Sequence, residues 1–494
     1  MVRPVARVGR PRLEILRLFS SRIDLEDLLF IVHLYALISS GAERREAIRI
    51  ISRDDRIYRK THRILVFIDR VTRGWGHDLV STLVLVSKRV RRSFTKEFLE
   101  RLSQVIGSGA DIVTFLRNEI DSVLVSYISQ IDKIFEAIRV LFSLFSTSMS
   151  TSVFLLANIA IMAMLLGSGD QFLLASSAGL VLSIVALASI VVIMIPRDPI
   201  VFPRSHVEKR IKLYTALSIA LGGFLSMLGF LIYPYQMIAP ILLLSIPMIV
   251  LGRLIIRIES RLIKYDDAFP TFIRSLGYLL HVVPDMKQSI KAIMRGSLGI
   301  LERDILTLKR RLYMGVSLEK AWMKMLDEIG SRICLFSGEV MLHTFLAQGD
   351  VRGMGKMLGD ILGSVNDIRK KRSQMARAYE STLLMLHLLT SSILGLIGAL
   401  VAIFSQIASL PGVTVINIAP ISEGTISQVS AIMIIALSIV NGIVSRTIYP
   451  GSLMGSIYHI GILLILGWIA YIVTSNALSS ILTGLFGGIN ILPI

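Results

Sequence analysis

The sequence predicts an all-α, polytopic membrane protein with two cytoplasmic helical-bundle domains, related as an internal repeat, and about seven transmembrane helices. Three observations carry this. The 494 residues are 53% hydrophobic, too apolar for an ordinary soluble chain. All but one of the 53 Lys and Arg residues lie in 1–148, 196–213 and 253–381, the exception being Arg446. Between and after those segments run long stretches with almost no charge, the sorting a bilayer imposes because charged side chains are expensive in hydrocarbon.

In chain order, Met1–Arg22 holds six Arg and one Glu without an apolar core. It is expected to be a basic arm on the lipid surface, not a signal peptide. In the first bundle, 23–148, Leu25, Leu28, Leu29, Val32, Tyr35 and Ala36 recur at three- and four-residue spacing, which predicts an amphipathic helix. Ser40-Gly41-Ala42-Glu43 resembles a capping box opening the next helix at Arg44. Four spans are expected in 149–252, at 149–167, 172–195, 214–233 and 235–252, with Pro240 and Pro247 kinking the fourth. A second bundle follows in 253–381, then spans at 382–408, 427–445 and 457–475 within 382–475. The apolar tail, 476–494, is placed at the outer interface or dipping back into the membrane. A span needs about 20 residues, with roughly 17–25 tolerated.

Basic residues near span ends mark the cytoplasmic side. The loop 196–213 is short and basic, whereas 168–171, the Tyr233-Pro234-Tyr235 turn and 409–426 hold no Lys or Arg. The expected orientation therefore puts the N-terminus in the cytoplasm and the C-terminus outside. Of the formal net charge of +18, residues 1–148 and residues 253–381 carry +8 each. Such a surface suits anionic lipid headgroups or acidic proteins. Nucleic acid is excluded as a partner, because no aromatic-interleaved basic groove, zinc signature or helix-turn-helix pattern is present.

The two bundles share landmarks. Arg70-Val71-x-x-Gly74 matches Arg311-Leu312-x-x-Gly315 at an offset of 241, and Gly109-Ala110-Asp111 matches Gly349-Asp350-Val351 at 240. Gly41-Ala42 with Ala47-Ile48 has its counterpart in Val283-Pro284 with Ser289-Ile290, at 242. Internal repetition is the expected cause.

The search for chemistry yields no enzyme, cofactor or metal site. The eight His form no HxxxH or HExxH pair. His387 falls inside a span, where a neutral ring bonded to a neighbouring helix is the expected state. Gly353-Met354-Gly355-Lys356 fails as a phosphate loop: Asp350 and Met357 stand where Gly and Ser or Thr are required. Gly107-Ser108-Gly109 lacks its third glycine. The acidic pairs Asp54-Asp55 and Asp266-Asp267 are placed at helix starts. Glycine turns are expected to end helices: Gly315 before a cap at Ser317, and Gly349 before a cap at Asp350. The single cysteine, Cys334, rules out an intrachain disulfide. Candidate docking residues are Arg310 and Arg311 beside Lys309, the run Arg369-Lys370-Lys371-Arg372, Lys88-Arg89 with Arg91-Arg92, and the turn residues Arg70, Gly74, Gly315, Gly349 and Asp350.

Tyr265-Asp266-Asp267-Ala268-Phe269-Pro270 with Phe272-Ile273-Arg274 resembles the opening of the type II secretion F domain in its archaeal form. Gly315-Val316-Ser317-Leu318-Glu319-Lys320-Ala321 resembles that family's mid-domain turn. Ala347-Gln348-Gly349-Asp350-Val351 and the helix to Arg372 resemble its last hairpin. The first bundle matches more loosely, through Ser40-Gly41, Gly74 and Gly109. The resemblance covers the cytoplasmic halves and implies the non-enzymatic membrane platform of a type IV pilus-like machine, an archaellum or an adhesive pilus. It further implies docking of a hexameric secretion ATPase, contact with pilin or archaellin subunits and with membrane lipids, and a homo-oligomer. The competing reading is a solute transporter with cytoplasmic regulatory domains. It needs a polar midplane site, for which the spans supply only Ser, Thr, Asn and His387. A membrane-embedded transferase would need an acidic catalytic loop, which the two acidic pairs do not make.

Overall fold

The computed structural model describes residues 23–53, 56–58, 60–74, 76–90, 92–165, 169–232, 238–408 and 422–485. The basic arm, Asp54-Asp55, Arg91, the 233–235 turn, most of the 409–426 loop and the end of the tail lie outside them. The described residues form α-helices, with no ladder beyond one isolated antiparallel bridge, Val201 with Ser331. In order these are α1 Leu25–Ser39, α2 Arg44–Ser52, α3 His62–Gly74, α4 Leu79–Ser87, α5 Ser93–Ser108, α6 Ile112–Leu165, α7 Gly169–Met194 and α8 His206–Ile232. They continue as α9 Ile238–Val282, α10 Met286–Ile293, α11 Glu302–Tyr313, α12 Leu318–Ile329, α13 Arg332–Leu346, α14 Val351–Ala408, α15 Glu423–Ile448 and α16 Ser456–Leu485. Seven of them are long and apolar enough to cross a membrane. The chain is an all-α polytopic membrane protein.

The chain divides into two compact units. Unit 1 gathers Met1–Lys133, Val201–His206 and Leu262–Ile368. The two segments read as bundles in the sequence share one apolar core there, from Leu28 and Phe98 through Phe269 and Trp322 to Leu358. Short helices follow the same order in both. The nine, 13, nine and 16 residues of α2–α5 are answered by eight, 12, 12 and 15 in α10–α13, and each set leads into a long helix, α6 or α14. The outer helices are amphipathic. In α12, Ala321, Trp322, Met325, Leu326 and Ile329 are buried at three- and four-residue spacing. Trp322 donates its indole N–H to the Gly338 carbonyl of α13 at 2.9 Å, giving a buried polar tip its partner.

α1 departs from the expected one-sided helix. Every residue from Glu26 to Leu34 is buried, so it is a central helix of unit 1. Its two buried acids are therefore bonded. Glu26 accepts the Lys60 and Thr61 N–H groups at 2.6 and 2.8 Å and lies 3.3 Å from Arg332. Asp27 completes the capping box with Asp24 and meets Arg92 at 2.8 Å. The capping box expected before Arg44 is absent: Glu43 precedes the helix without a side-chain cap, and Gly41 turns the chain at φ +88°.

Unit 2 comprises Ile134–Ile200, Val207–Arg261 and Arg369–Ile494. α15 packs against α16 and α7. Glycines bring backbones together. A Cβ on Gly442 would meet the Ile460 N at 2.9 Å, and one on Gly395 the Tyr471 O at 2.5 Å. Pro240 lies in the first turn of α9, where its missing N–H costs nothing, and the helix continues through Pro247. α6, α9 and α14 contribute residues to both units. None of them breaks at the boundaries 148/149, 252/253 or 381/382.

Candidate functional site

In unit 1 the turn between α11 and α12 carries exposed cationic and apolar side chains. α11 buries Ile305, Leu308 and Leu312 and so directs its cations outward. Arg310 is exposed, while Arg311 spans the hairpin to Glu328 at 2.6 Å. Gly315 ends the helix at φ +83°, as the sequence predicts. Ser317 occupies the cap position of α12 without a side-chain hydrogen bond. The turn is not only basic: Tyr313 and Met314 are 59% and 79% exposed, with Lys309 over the Tyr313 ring at 6.0 Å. Apolar contacts framed by cations suit a protein surface carrying acids around an apolar patch. In the equivalent turn of the first copy, Arg70 and Gly74 are exposed. The left-handed glycine there is Gly76, at φ +65°, and Gly74 closes α3. Lys88 and Arg89 are exposed at the end of α4, Arg89 lying 5.9 Å over Phe67.

Gly349 and Asp350 do two different things. Asp350 caps α14 by accepting the Gly353 N–H at 2.9 Å. Asp111 does the same for α6, through Val113 at 3.0 Å, and bonding to Thr114 and the Val113 N–H holds its carboxyl below the usual range. The left-handed residue before α14 is Gln348, at φ +56°, not Gly349. Glycine is needed at 349 for space: a Cβ would sit 2.0 Å from Ser40 Oγ. The first turn of one copy thus rests on the last turn of the other.

The run 369–372 divides. Arg369 and Arg372 are buried, Lys370 and Lys371 exposed. Arg369 grips Asp198 through two bonds, at 2.7 and 2.9 Å. Arg372 donates to the Ile448 and Thr447 carbonyls at 2.6 and 3.0 Å, satisfying the last turn of α15. Asp266-Asp267 lie inside α9, not at a helix start. Asp266 is 1% exposed, accepts from Ser331 Oγ, and its carbonyl receives Asn366 Nδ2 at 2.5 Å. Gly355 belongs to a helix crossing, its would-be Cβ 3.1 Å from the Gly277 Cα.

Sequence reasoning missed a buried charged cluster in unit 2. Arg446 pairs with Glu259, their side chains 7% and 3% exposed. Glu259 also accepts the Ser452 N–H at 2.8 Å, and Arg446 Nε donates to the Ser452 carbonyl at 3.1 Å. Beside them Glu380 accepts the Tyr449 hydroxyl at 2.6 Å and meets His459 Nδ1 at 2.9 Å. Burial, and Glu380 as acceptor, push the Tyr449 phenol well above its ordinary value. The available signal was Arg446 itself, the lone cation outside the basic segments. In the spans, His387 Nε2 bonds the Leu463 carbonyl at 2.9 Å and Ser438 Oγ at 3.2 Å, the state expected for it. Among the described residues no group of three or more His, Cys, Asp or Glu side chains is placed to hold a metal.

Two proteins named flagella accessory protein J are similar to this chain. The one from Methanocaldococcus jannaschii is 23% identical over 477 residues, which is 90% of this chain and 83% of that protein. The one from Methanococcus voltae is 24% identical over 288 residues, 53% of this chain and 49% of that protein. No family model matches the sequence. No solved structure matches it either.

Proposed function

We propose that this chain is the membrane platform of an archaeal type IV pilus-like machine of the archaellum kind, with no enzymatic activity of its own. The observation that carries the reading is similarity to flagella accessory protein J along 90% of the chain. Seven apolar helices and a doubled set of short helices support it. In this reading unit 1 is cytoplasmic and docks a hexameric secretion ATPase. The seven spans, N-terminus inside and C-terminus outside, meet archaellin or pilin subunits, and the platform works as a homo-oligomer. Coupling is mechanical: ATPase states that contact unit 1 differently bias its conformation. Docking is assigned to the half-buried Lys309 with the exposed Arg310, Tyr313, Met314 and Gly315, and to Arg70, Lys88 and Arg89 on the first copy. Lys370 and Lys371 suit lipid phosphate. Arg369 and Arg372 hold the platform together instead, and Gly349 and Asp350 shape its turns.

The test is co-purification of the secretion ATPase with the platform, intact and as Lys309→Glu/Arg310→Glu. Arg311 is left alone because Glu328 uses it. The expected result is loss of most of the bound ATPase at low salt, where surface charge acts most strongly. Undiminished binding at low salt removes this turn as the docking surface. Absence of any ATPase with the intact platform counts against the whole reading.

A further inference from the structure

The interior of unit 2 carries hydrogen-bonding groups that its own side chains do not satisfy. α14, α15 and α16 meet along a seam of small and polar residues. On α14 this is His387 and Ser391, one turn apart, followed by Gly395. On α16 it is Leu463, whose carbonyl receives His387, then Gly467, where a Cβ would stand 2.5 Å from His387 Nε2, 3.0 Å from Ser391 Oγ and 3.2 Å from Ile434 Cγ2 of α15. Ile434 and Ser438 therefore fix which side of α15 faces this seam. Asn441 and Ser445 follow Ser438 by three and seven residues, so at about 100° per residue they fall on the same narrow stripe.

His387, Ser391 and Asn441 are fully buried, and Ser445 is 3% exposed. Yet His387 Nδ1, Ser391 Oγ, both amide atoms of Asn441 and Ser445 Oγ have no hydrogen-bond partner in the protein. Each such group costs about 1–3 kcal/mol when left unmade. A file of five is not tolerated in a hydrocarbon-surrounded core unless something else bonds it. The groups are donors and acceptors mixed, and uncharged. That composition suits water, which donates twice and accepts twice, and does not suit an ion, for which no carboxylate lies in the stripe.

We propose that the α14–α15–α16 seam is a binding site for a short file of internal water molecules, held by His387, Ser391, Ser438, Asn441 and Ser445. The water supplies the missing partners. The inference stands apart from the platform reading.

Two readouts on the full-length protein in lipid nanodiscs test it. The first is synchrotron hydroxyl-radical footprinting, in which radicals form from water held beside the modified side chain. His387 is expected to be oxidised although buried, and Asn441→Leu/Ser391→Ala is expected to lower its oxidation several-fold, with exposed Met314 setting the dose. An unlabelled His387 in the intact protein, or labelling unchanged in the filled variant, overturns the proposal. The second is the stability of Asn441→Leu alone. Leucine takes a bonding partner from the file and leaves its neighbours unsatisfied, so stability is expected to fall. No change, or a rise as when an unbonded amide in a dry core is removed, overturns it equally.

Discussion

The Glu259–Arg446 pair offers a sharp test of what holds unit 2 together, because both charges are out of water. In Arg446→Met the Glu259 carboxylate keeps one bond, from the Ser452 N–H at 2.8 Å, and loses its counter-ion. Breaking a buried pair from one side costs about 3–5 kcal/mol. Loss of the Arg446 guanidinium from the face of Tyr449, at 5.5 Å, adds about 0.5–2 kcal/mol. Glu259→Gln combined with Arg446→Met removes both charges. Glutamine still accepts from Ser452, so the double variant is left with one lost bond at the Ser452 carbonyl, about 1 kcal/mol, and the lost Tyr449 contact. The double variant is therefore expected to be more stable than Arg446→Met, with a coupling of at least about 2 kcal/mol, above the scatter of additive sites. Unfolding in mixed detergent micelles, read by Trp468 fluorescence after Trp75→Phe and Trp322→Phe, reports on unit 2. Additive losses, or an Arg446→Met that costs less than about 1 kcal/mol, would show that the turn 449–455 is held by its backbone and the ion pair is incidental.

Two further predictions concern unit 1, where thermal exposure of the buried Cys334 to a thiol-reactive dye reads unfolding. Burial raises the Asp27 carboxyl from 3.8 to about 6, against the opposing pull of Arg92. The folded state therefore binds a proton that the unfolded state releases, and stability falls as pH rises from about 4 to about 6, by up to about 3 kcal/mol. The difference between wild type and Asp27→Asn should vary across that window and flatten above pH 7; a difference that grows in the opposite sense would show that Arg92 outweighs burial. At the α9–α14 crossing, a Cβ on Gly277 meets the Val351 carbonyl at 2.5 Å, so Gly277→Ala should lower the melting transition by the equivalent of about 1–3 kcal/mol. Gly363, on α14 with nothing within 4 Å of its would-be Cβ, should instead gain up to about 1 kcal/mol as alanine. Equal responses at the two glycines would remove close backbone packing as the explanation.

Much of the fold was legible because lipid sorts charge by position along the chain, and that sorting needs no knowledge of contacts. It yielded the seven span-length helices. A turn was legible where a glycine must adopt positive φ, as at Gly315. Matching turns led to the doubled order of short helices. Long-range packing was not legible. A helix has no reason to stop where its composition changes from charged to apolar, so α6, α9 and α14 pass through boundaries that looked natural on the page. Asp266 was misplaced for the same reason. An acid in mid-helix looks wrong until Ser331, 65 residues later, donates to it.

The run Arg369-Lys370-Lys371-Arg372 shows why a linear charge cluster is a poor guide to a docking surface. Successive residues on a helix are about 100° apart, so four in a row sweep most of its circumference. No single face can present them all. The first and fourth lie on one side and the middle two are displaced from it. Arg369 and Arg372 share the inward side, and each is made tolerable by oxygen atoms brought from far away in sequence: the Asp198 carboxylate and the last carbonyls of α15. Arg446 follows the same logic with Glu259. In each case the cation's identity was plain in the sequence and its meaning was not, because meaning depends on whether an acceptor arrives through the fold. A basic residue near a span end is thus an electrostatic clamp or a surface contact according to its angle on the helix. Lys370 and Lys371, between two clamps on the same helix, are the exposed half of this run.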